Sequence, residues 1–339
     1  MATDKLTFDD PRVTHNTFTI SPTKTYHYIL ASPPNPRATV LLIHGFPDLA
    51  FGWRYQVPHL LSLNLRVIVP DTLGYGRSSA PQDLASYSLK SMSADMIALA
   101  SHVMGSEKQP LILGGHDWGG ALVWRLALWY PSRVAAVFSV CTPYSPPDKA
   151  YLSPEQVVAR LPNFTYQLQL IGPEVEAGIA GEAATRQFVN GMFGGRTPDG
   201  GAVFSTARGV IFDNLDKVGQ SPLLSPEEVE VYVREYQKNG MRGPLNWYRT
   251  RKINYEEELE LVERGRGRIA APSLFVLATK DNALPPTMSA GMEAHFDRLE
   301  RREVEATHWA LVEAAAEVNG HVGRWLEGVL GGSGFKASI

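Results

Sequence analysis

The sequence has little cysteine, little net charge and no long hydrophobic run. Its one cysteine, Cys141, excludes disulfide scaffolds and cysteine-based zinc sites, and it favours a reducing compartment. A net charge of −3 over 339 residues provides no basic field for nucleic acid or anionic lipid. No apolar run approaches the roughly 18–20 residues of a membrane span, and the N-terminus lacks the apolar core of a signal peptide. We therefore expect a soluble cytoplasmic protein that neither binds nucleic acid nor spans a membrane.

The composition is otherwise that of a folded globular protein, with 44% hydrophobic, 10% aromatic and 20% charged residues. Its patterns separate three regions. Strand-like and helical segments alternate in 1–143, a helical and loop-rich segment occupies 144–268, and the strand rhythm resumes in 269–330. Alternating strands and helices predict a mostly parallel sheet covered on both faces. We expect a core domain in two parts, an inserted helical lid between them, and a flexible tail over 331–339.

Hydrophobic periodicity predicts the individual elements, with short apolar runs taken as strands and a spacing of three to four residues taken as helix. The predicted strands are Thr17–Ile20, Tyr26–Leu30, Thr39–Ile43, Arg66–Pro70, Leu111–Leu113, Val134–Val140, Ser273–Ala278 and a run near Arg301–Glu305. The predicted helices are Leu89–Met104, Gly119–Tyr130, Pro154–Arg160, Ala183–Met192, Pro226–Lys238 and Trp309–Val329.

The most informative stretch is a Gly-x-Asp-x-Gly motif at Gly115–Gly119, placed between a buried strand and a helix. This is the pattern of a nucleophile elbow with aspartate in the central position, where flanking side chains would collide with the strand and the helix. Asp117 would then stand at the top of the sheet beside a helix N-terminus, whose dipole favours the ionised carboxylate. The alternative is that Asp117 only caps the helix.

An aspartate nucleophile narrows the reaction class. Attack on an amide or ester would give an anhydride that reverts, whereas displacement at a saturated carbon gives an ester that water can hydrolyse. Hydrolysis then needs a general base and an oxyanion hole. In proteins built around such an elbow, the catalytic residues follow along the chain in the order nucleophile, acid, histidine. This order predicts His308 as the base and Asp281 as its orienting acid. Asp148, just after an earlier strand, is the alternative acid.

The oxyanion hole is expected to combine two backbone N–H groups. One belongs to Trp118, the residue after the nucleophile, and the other to Phe46, in the loop after the strand Thr39–Ile43. The His-Gly-x-Pro sequence of that loop could also be a simple turn. His44 and His116 lie inside these motifs and are interpreted as structural, and His295 is interpreted as a surface residue.

Taken together, the motifs resemble those of the soluble epoxide hydrolases in the α/β-hydrolase superfamily. The resemblance covers roughly residues 12–328 and implies a mostly parallel eight-stranded sheet flanked by helices, with an inserted helical cap. Vertebrate relatives carry an additional N-terminal phosphatase domain for which this chain has no room, so a single-domain form is expected. The matching stretches are His44–Pro47, Trp53–Gln56, Gly74–Ser79, Gly115–Gly120, Asn163–Gln167, Arg242–Arg249, Asp281 with Leu284–Pro286, and His308–Trp309.

The resemblance implies conversion of an epoxide and water to a vicinal diol, through an ester on Asp117, with detoxification as the expected role. Ring opening leaves an alkoxide that needs a proton donor. The resemblance places two such donors on the lid tyrosines Tyr166 and Tyr248. A phenol with a pKa of about 10 stays protonated at neutral pH and can donate to an alkoxide.

The expected partners are therefore a small apolar epoxide and water, with no metal and no organic cofactor, in a monomer or a homodimer. Four aromatic side chains are predicted to line an apolar substrate pocket, with ordinary core packing as the alternative for each. They are Phe46, Trp118, Trp247 and Trp309.

Two other functions remain as alternatives. A haloalkane or haloacid dehalogenase shares the fold, the aspartate nucleophile and the elbow. However, the former typically has a halide donor at the position of Phe46, and the latter usually has arginine at the position of Trp118. Halide also leaves without a proton, so the two tyrosines would serve no purpose. The other alternative is a catalytically silent ligand-binding protein, which the fold alone permits.

Overall fold

The central feature of the computed structural model, which describes residues 3–332, is a sheet of eight strands. The tail predicted over 331–339 lies outside the described residues from residue 333 onward. The strands, eight in this sheet and two in a separate hairpin, are β1 (Thr14–Ser21), β2 (Lys24–Ala31), β3 (Thr39–Ile43), β4 (Arg66–Pro70), β5 (Leu111–His116), β6 (Val134–Val140), β7 (Phe204–Ser205), β8 (Gly209–Val210), β9 (Ser273–Ala278) and β10 (Leu299–Val304).

The eight strands follow the order β1-β2-β4-β3-β5-β6-β9-β10, and β7 and β8 form a separate two-stranded hairpin. The β1–β2 and β2–β4 pairs are antiparallel, whereas every pair from β4–β3 to β9–β10 is parallel. Parallel strands place all their carboxyl ends at one edge of the sheet. The predicted mostly parallel, eight-stranded sheet is thus confirmed.

The central strands read as continuous apolar runs because both of their faces are buried. In β3, Val40 and Leu42 point into one hydrophobic cluster, and Leu41 and Ile43 point into the other. Helices α2 and α3 cover one face and α1 and α12 the other. The helices are α1 (Gln56–Ser62), α2 (Leu89–Met104), α3 (Trp118–Trp129), α4 (Pro154–Arg160), α5 (Tyr166–Leu170), α6 (Glu174–Gly178), α7 (Gly181–Met192), α8 (Pro226–Tyr236), α9 (Arg242–Arg249), α10 (Arg251–Glu263), α11 (Ala310–Glu313) and α12 (Ala315–Gly331).

Short 3₁₀ turns supplement these elements. They are Ala50–Trp53, Ala85–Tyr87, Pro131–Arg133, Pro162–Phe164, Phe212–Lys217, Pro286–Ser289 and Met292–His295. No helix between residues 3 and 332 is long and apolar enough to cross a lipid bilayer.

The segment between β6 and β9, here called the inserted segment, holds helices α4 to α10 and the β7–β8 hairpin. Its side chains bond to the loops that follow the parallel strands. The Tyr232 hydroxyl donates to Asp48 Oδ1 at 2.6 Å, and the Trp247 indole N–H donates to the Leu73 carbonyl at 3.1 Å. Asp48 follows β3 and Leu73 follows β4. The inserted segment therefore lies over the carboxyl edge of the sheet.

The C-terminal helical region differs from the prediction. The prediction of a single helix over Trp309–Val329 is wrong, because two helices, α11 and α12, occupy this range. They meet at Ala314, whose φ of −117° and ψ of 34° lie outside the helical range. The Thr307 hydroxyl and N–H bond to the Glu313 carboxylate at 2.7 and 2.6 Å, which ties α11 back to the loop before it. No proline or glycine marks this break in the sequence, so the apolar pattern runs through it unchanged.

Candidate active site

The turn between β5 and α3 has the geometry of a nucleophile elbow. Asp117 has φ 53° and ψ −125°, a conformation that costs a non-glycine residue about 1–3 kcal/mol. Its neighbours must be small: a Cβ at Gly115 would lie 2.3 Å from the Gly119 carbonyl oxygen, and one at Gly119 would lie 1.9 Å from that of Ile43. The Asp117 side chain makes no capping hydrogen bond to α3, although it occupies the capping position. The helix-cap alternative therefore does not account for it.

The two carboxylate oxygens of Asp117 lie in different surroundings. Oδ1 accepts a hydrogen bond from the Phe46 N–H at 2.7 Å, whereas Oδ2 lies 3.4 Å from His308 Nε2. Burial opposes ionisation of this carboxyl, which is 13% exposed. The hydrogen bond and charge of His308 outweigh burial, and with the Trp118 N–H they lower the pKa of Asp117 below its ordinary value. Asp117 is therefore a carboxylate, and its Oδ1 is held by the N–H of Phe46.

His308 lies between two carboxylates. Its Nδ1 is 2.7 Å from Asp281 Oδ2, and Asp281 Oδ1 accepts hydrogen bonds from the N–H groups of Ala283 and Leu284 at 2.8 and 2.9 Å. Burial raises the pKa of Asp281, but the charge and hydrogen bond of His308 lower it further than burial raises it. Burial alone would lower the pKa of His308, yet Asp281 and Asp117 together raise it well above its ordinary value. These surroundings favour the imidazolium form of His308, paired with both acids, in the free protein.

The two predicted acid tyrosines lie together in the inserted segment. Tyr166 begins α5 and Tyr248 lies in α9, and their ring centroids are 6.3 Å apart. Tyr248 meets the rings of Phe46 and Trp118 edge-on, at 5.4 and 5.2 Å. Burial raises the pKa of both phenols, and the nearby charge of Asp117 raises both further. Both hydroxyls therefore stay protonated and lie within electrostatic reach of the carboxylate.

The other two predicted pocket aromatics reach the site less directly. The ring centroids of Trp247 and Trp118 are 6.1 Å apart, and the indole N–H of Trp247 donates to the Leu73 carbonyl. Trp309 stacks on Phe193 at 3.9 Å, and its indole N–H is bonded to a backbone carbonyl. Both indoles thus hold the inserted segment against the core, in addition to any part in a pocket.

The structure places the alternative acid away from the histidine. Asp148 is exposed and lies 3.6 Å from Arg251, whereas His308 Nδ1 is occupied by Asp281. The position after β9, rather than the position after β6, therefore supplies the partner of His308.

The three histidines that were not expected to act in catalysis have different surroundings. His44 is buried and its Nε2 accepts the Thr72 N–H at 3.0 Å, in keeping with a structural interpretation. His116 is also buried, with its Nε2 2.8 Å from the backbone oxygen of His308. His295 was predicted to be a surface residue, but it is half-buried against the ring of Tyr144, with the centroids 5.7 Å apart. The short turn Met292–His295 folds it inward.

Two neighbours of the site, Cys141 and Thr142, were missed by reasoning from the sequence. The Thr142 hydroxyl donates to the Asp117 carbonyl at 2.7 Å, and the Cys141 thiol lies 3.5 Å from the His308 carbonyl. Cys141 has a φ of 67°, which turns the chain sharply at the end of β6. The proline-rich sequence that follows indicated only that the chain leaves the sheet here.

A cavity of about 650 Å³ adjoins the site and reaches it at Trp118. Its wall is mainly hydrophobic, and it is formed by α4, the loop after β6, α10 and the loop after β9. Among the apolar side chains that line it are Val157, Leu161, Phe164, Leu284 and Met288.

Comparison with known proteins identifies the family. The sequence model described as alpha/beta hydrolase fold matches residues 38–171. Epoxide hydrolase srdG of Neurospora crassa is 48% identical, and the alignment covers 96% of this chain and 99% of that protein. Bifunctional epoxide hydrolase 2 of Mus musculus is 35% identical over 93% of this chain, which spans 56% of the mouse protein. The crystal structure of Epoxide Hydrolase A from Mycobacterium thermoresistibile has a TM-score of 0.76 at 28% identity, covering 93% of this chain and 98% of that one. The chain therefore belongs to the epoxide hydrolase family of α/β-hydrolase-fold enzymes.

Proposed function

We propose that this enzyme hydrolyses apolar epoxides to vicinal diols through a covalent ester on Asp117, with residues 144–268 acting as the lid. The observation that carries the proposal is that the two carboxylate oxygens of Asp117 have different partners. Oδ1 is fixed by the Phe46 N–H at 2.7 Å, whereas Oδ2 faces His308 at 3.4 Å. A carboxylate held in this way offers Oδ2 as the attacking atom.

In the ring-opening step, Oδ2 of Asp117 attacks one epoxide carbon. The carbon–oxygen bond of the ring breaks, and its electron pair goes to the epoxide oxygen, which takes a proton from Tyr166 or Tyr248. The raised pKa values of the two phenols keep that proton available at neutral pH. A halide would need no such donor, so the pair of buried phenols supports an epoxide as the substrate.

Ester formation prepares His308 for the second step. The ester of Asp117 is neutral, so one of the two charges that raise the pKa of His308 disappears. The pKa of His308 then falls, and its proton replaces, through solvent, the one that the tyrosine gave up. The neutral imidazole, still oriented by Asp281, can now accept a proton from water.

In the hydrolytic step, the resulting hydroxide attacks Cγ of Asp117. Oδ1 becomes the oxyanion while it already lies on the Phe46 N–H, with the Trp118 N–H as the second donor, so little reorganisation is needed. The bond between Cγ and Oδ2 breaks, and the departing alkoxide takes the hydroxyl proton of the intermediate. The diol leaves with Oδ2, and Asp117 is again a carboxylate beside the imidazolium of His308.

The surroundings of Asp117 support a substrate with an apolar substituent. The rings of Phe46, Trp118 and Tyr248 meet around the reacting atoms, and the cavity beside Trp118 has a mainly hydrophobic wall. The mechanism uses no metal and no organic cofactor.

The proposal is tested by measuring oxygen-isotope incorporation into Asp117 and the mass of the peptide that contains it. A single turnover in heavy-oxygen water should leave the label in the side chain of Asp117, because the diol carries away Oδ2. His308→Gln should accumulate the ester, seen as a mass increase on the peptide that contains Asp117, and Asp117→Ala should show no adduct and no turnover. Label found first in the diol would contradict the proposal. Alkyl halides assayed with the same preparation test the dehalogenase alternative.

A further inference from the structure

Within residues 3–332, the ring of His116 makes one hydrogen bond, and chemistry fixes which atom donates. It is the last residue of β5 and is 1% exposed. Its Nε2 lies 2.8 Å from the backbone oxygen of His308. Because a carbonyl oxygen can only accept, Nε2 must carry the proton.

The surroundings of the other ring nitrogen favour the neutral form of His116. Across the residues that the structure describes, Nδ1 of His116 has no hydrogen-bond partner and is inaccessible to solvent. Burial lowers the pKa of His116, and the charge of His308, whose ring centroid is 4.9 Å away, lowers it further. A second imidazolium at that distance would repel the one on His308. These surroundings favour a neutral ring with its proton on Nε2.

The bond to His116 completes the anchoring of His308. The side chain of His308 is fixed at Nδ1 by Asp281, and the backbone is fixed at its carbonyl by His116, with the Cys141 thiol as a weaker donor at 3.5 Å. His308 itself lies in the loop between β10 and α11, where the neighbouring Ala306 and Thr307 have their own hydrogen-bond partners, whereas the His308 carbonyl is held by His116 and Cys141. Loss of either anchor would let Nε2 move relative to Asp117.

We propose that His116 is a positioning residue for ester hydrolysis: its Nε2–H holds the His308 carbonyl and so keeps His308 directed at the water that attacks the Asp117 ester. The inference rests on the proposed function, because it assigns His116 to the second of the two steps. Ring opening by Asp117 needs no proton transfer to His308 and does not depend on this bond.

The test compares two substitutions of similar length. His116→Met removes the donor, whereas His116→Gln places an amide N–H at about the reach of Nε2. Rapid-quench mass spectrometry on an apolar epoxide measures formation and decay of the Asp117 ester separately. In His116→Met we expect ester decay to slow by about 10- to 100-fold, the cost of a misplacement of about 1 Å, while ester formation is unchanged. In His116→Gln the ester should not accumulate.

The matched control is His59→Met. His59 is a half-buried histidine on α1 that packs against Gly323 of α12, and its Nε2 also has no hydrogen-bond partner within residues 3–332. Both rate constants should stay at their wild-type values in this variant. Thermal unfolding of all three variants by circular dichroism separates loss of stability from loss of positioning.

The outcomes are distinct. Equal ester accumulation in His116→Met and His116→Gln, equal slowing of both steps, or no slowing at all overturns the inference. Ester in His308→Gln but not in His116→Met overturns the inference alone, whereas no ester even in His308→Gln contradicts the proposed function and the inference with it. If His116→Met does not fold, nitrogen NMR of the wild-type enzyme decides. A proton on Nε2 of His116 supports the inference, and a tautomer protonated only at Nδ1 overturns it.

Discussion

Replacing Gly45 with alanine should disable the nucleophile without altering any ionisable group. Gly45 does not have a positive φ, so alanine suits its backbone, but a Cβ there would lie 2.2 Å from Oδ1 of Asp117 and 2.6 Å from the Trp118 nitrogen. Ordinary van der Waals separation is about 3.5 Å, so the carboxylate has to move by about 1 Å. It would also leave the Phe46 N–H. A displacement of that size costs about 10²-fold in rate, or about 2.7 kcal/mol in activation free energy.

The assay is kcat/KM for an apolar epoxide such as styrene oxide, measured together with the thermal unfolding midpoint. Overpacking at Gly45 should destabilise the fold by about 1–3 kcal/mol, which the unfolding curve reports independently of activity. Gly328→Ala is the matched control, because a Cβ at that position in α12 meets nothing within 4 Å. It should leave activity unchanged and stabilise the helix by up to about 1 kcal/mol. A folded Gly45→Ala enzyme with the kcat/KM of wild type would refute the placement of the nucleophile.

Four further outcomes are expected. Changing both Tyr166 and Tyr248 to phenylalanine should slow ester formation by about 10²- to 10⁴-fold, the range of general-acid catalysis; unchanged single-turnover rates would remove both from the mechanism. Because the pKa of Asp117 is lowered, ring opening should persist below the ordinary carboxyl pKa of about 4 and be lost only as the pH falls through the lowered value, which stopped-flow measurements at graded pH can follow. Asp117→Asn removes one charge that raises the pKa of His308, so an NMR titration should give a lower pKa than in wild type. Asp281→Asn should slow ester decay more than ester formation, since its Oδ2 orients His308, which acts in the second step, and rapid-quench mass spectrometry would reveal the opposite order.

The parts of the site that sequence reasoning located lie at element boundaries marked by short motifs. A Cβ at either glycine beside Asp117 would lie less than 2.5 Å from a backbone atom. The motif therefore reflects a steric constraint that acts locally. The strands β3 and β9 have the predicted bounds because continuous burial leaves an unbroken apolar run. Loops after parallel strands share one edge of the sheet, which is why Phe46, Asp281 and His308 could be expected to meet.

What could not be predicted depends on how separate loops approach one another. The bonds of His116 and Thr142 to backbone carbonyls use side chains of common type, and each partner lies in another loop or after another strand. No spacing in the sequence indicates a hydrogen bond between a side chain and a distant backbone carbonyl. The break at Ala314 is of the same kind, because the contact between Thr307 and Glu313 beside it joins a loop to a helix, and no residue that disfavours helix marks it.

The bonds between the inserted segment and the sheet loops constrain how molecules enter and leave. The Tyr232 hydroxyl on Asp48 and the Trp247 indole on Leu73 are both buried, and each would lose its partner if the segment swung away as a rigid body. Unmaking a buried hydrogen bond costs about 1–3 kcal/mol, so a hinge motion would have to overcome both losses together. Passage of epoxide and diol through the cavity beside Trp118 would require neither loss, so the inserted segment would stay docked through the whole catalytic cycle.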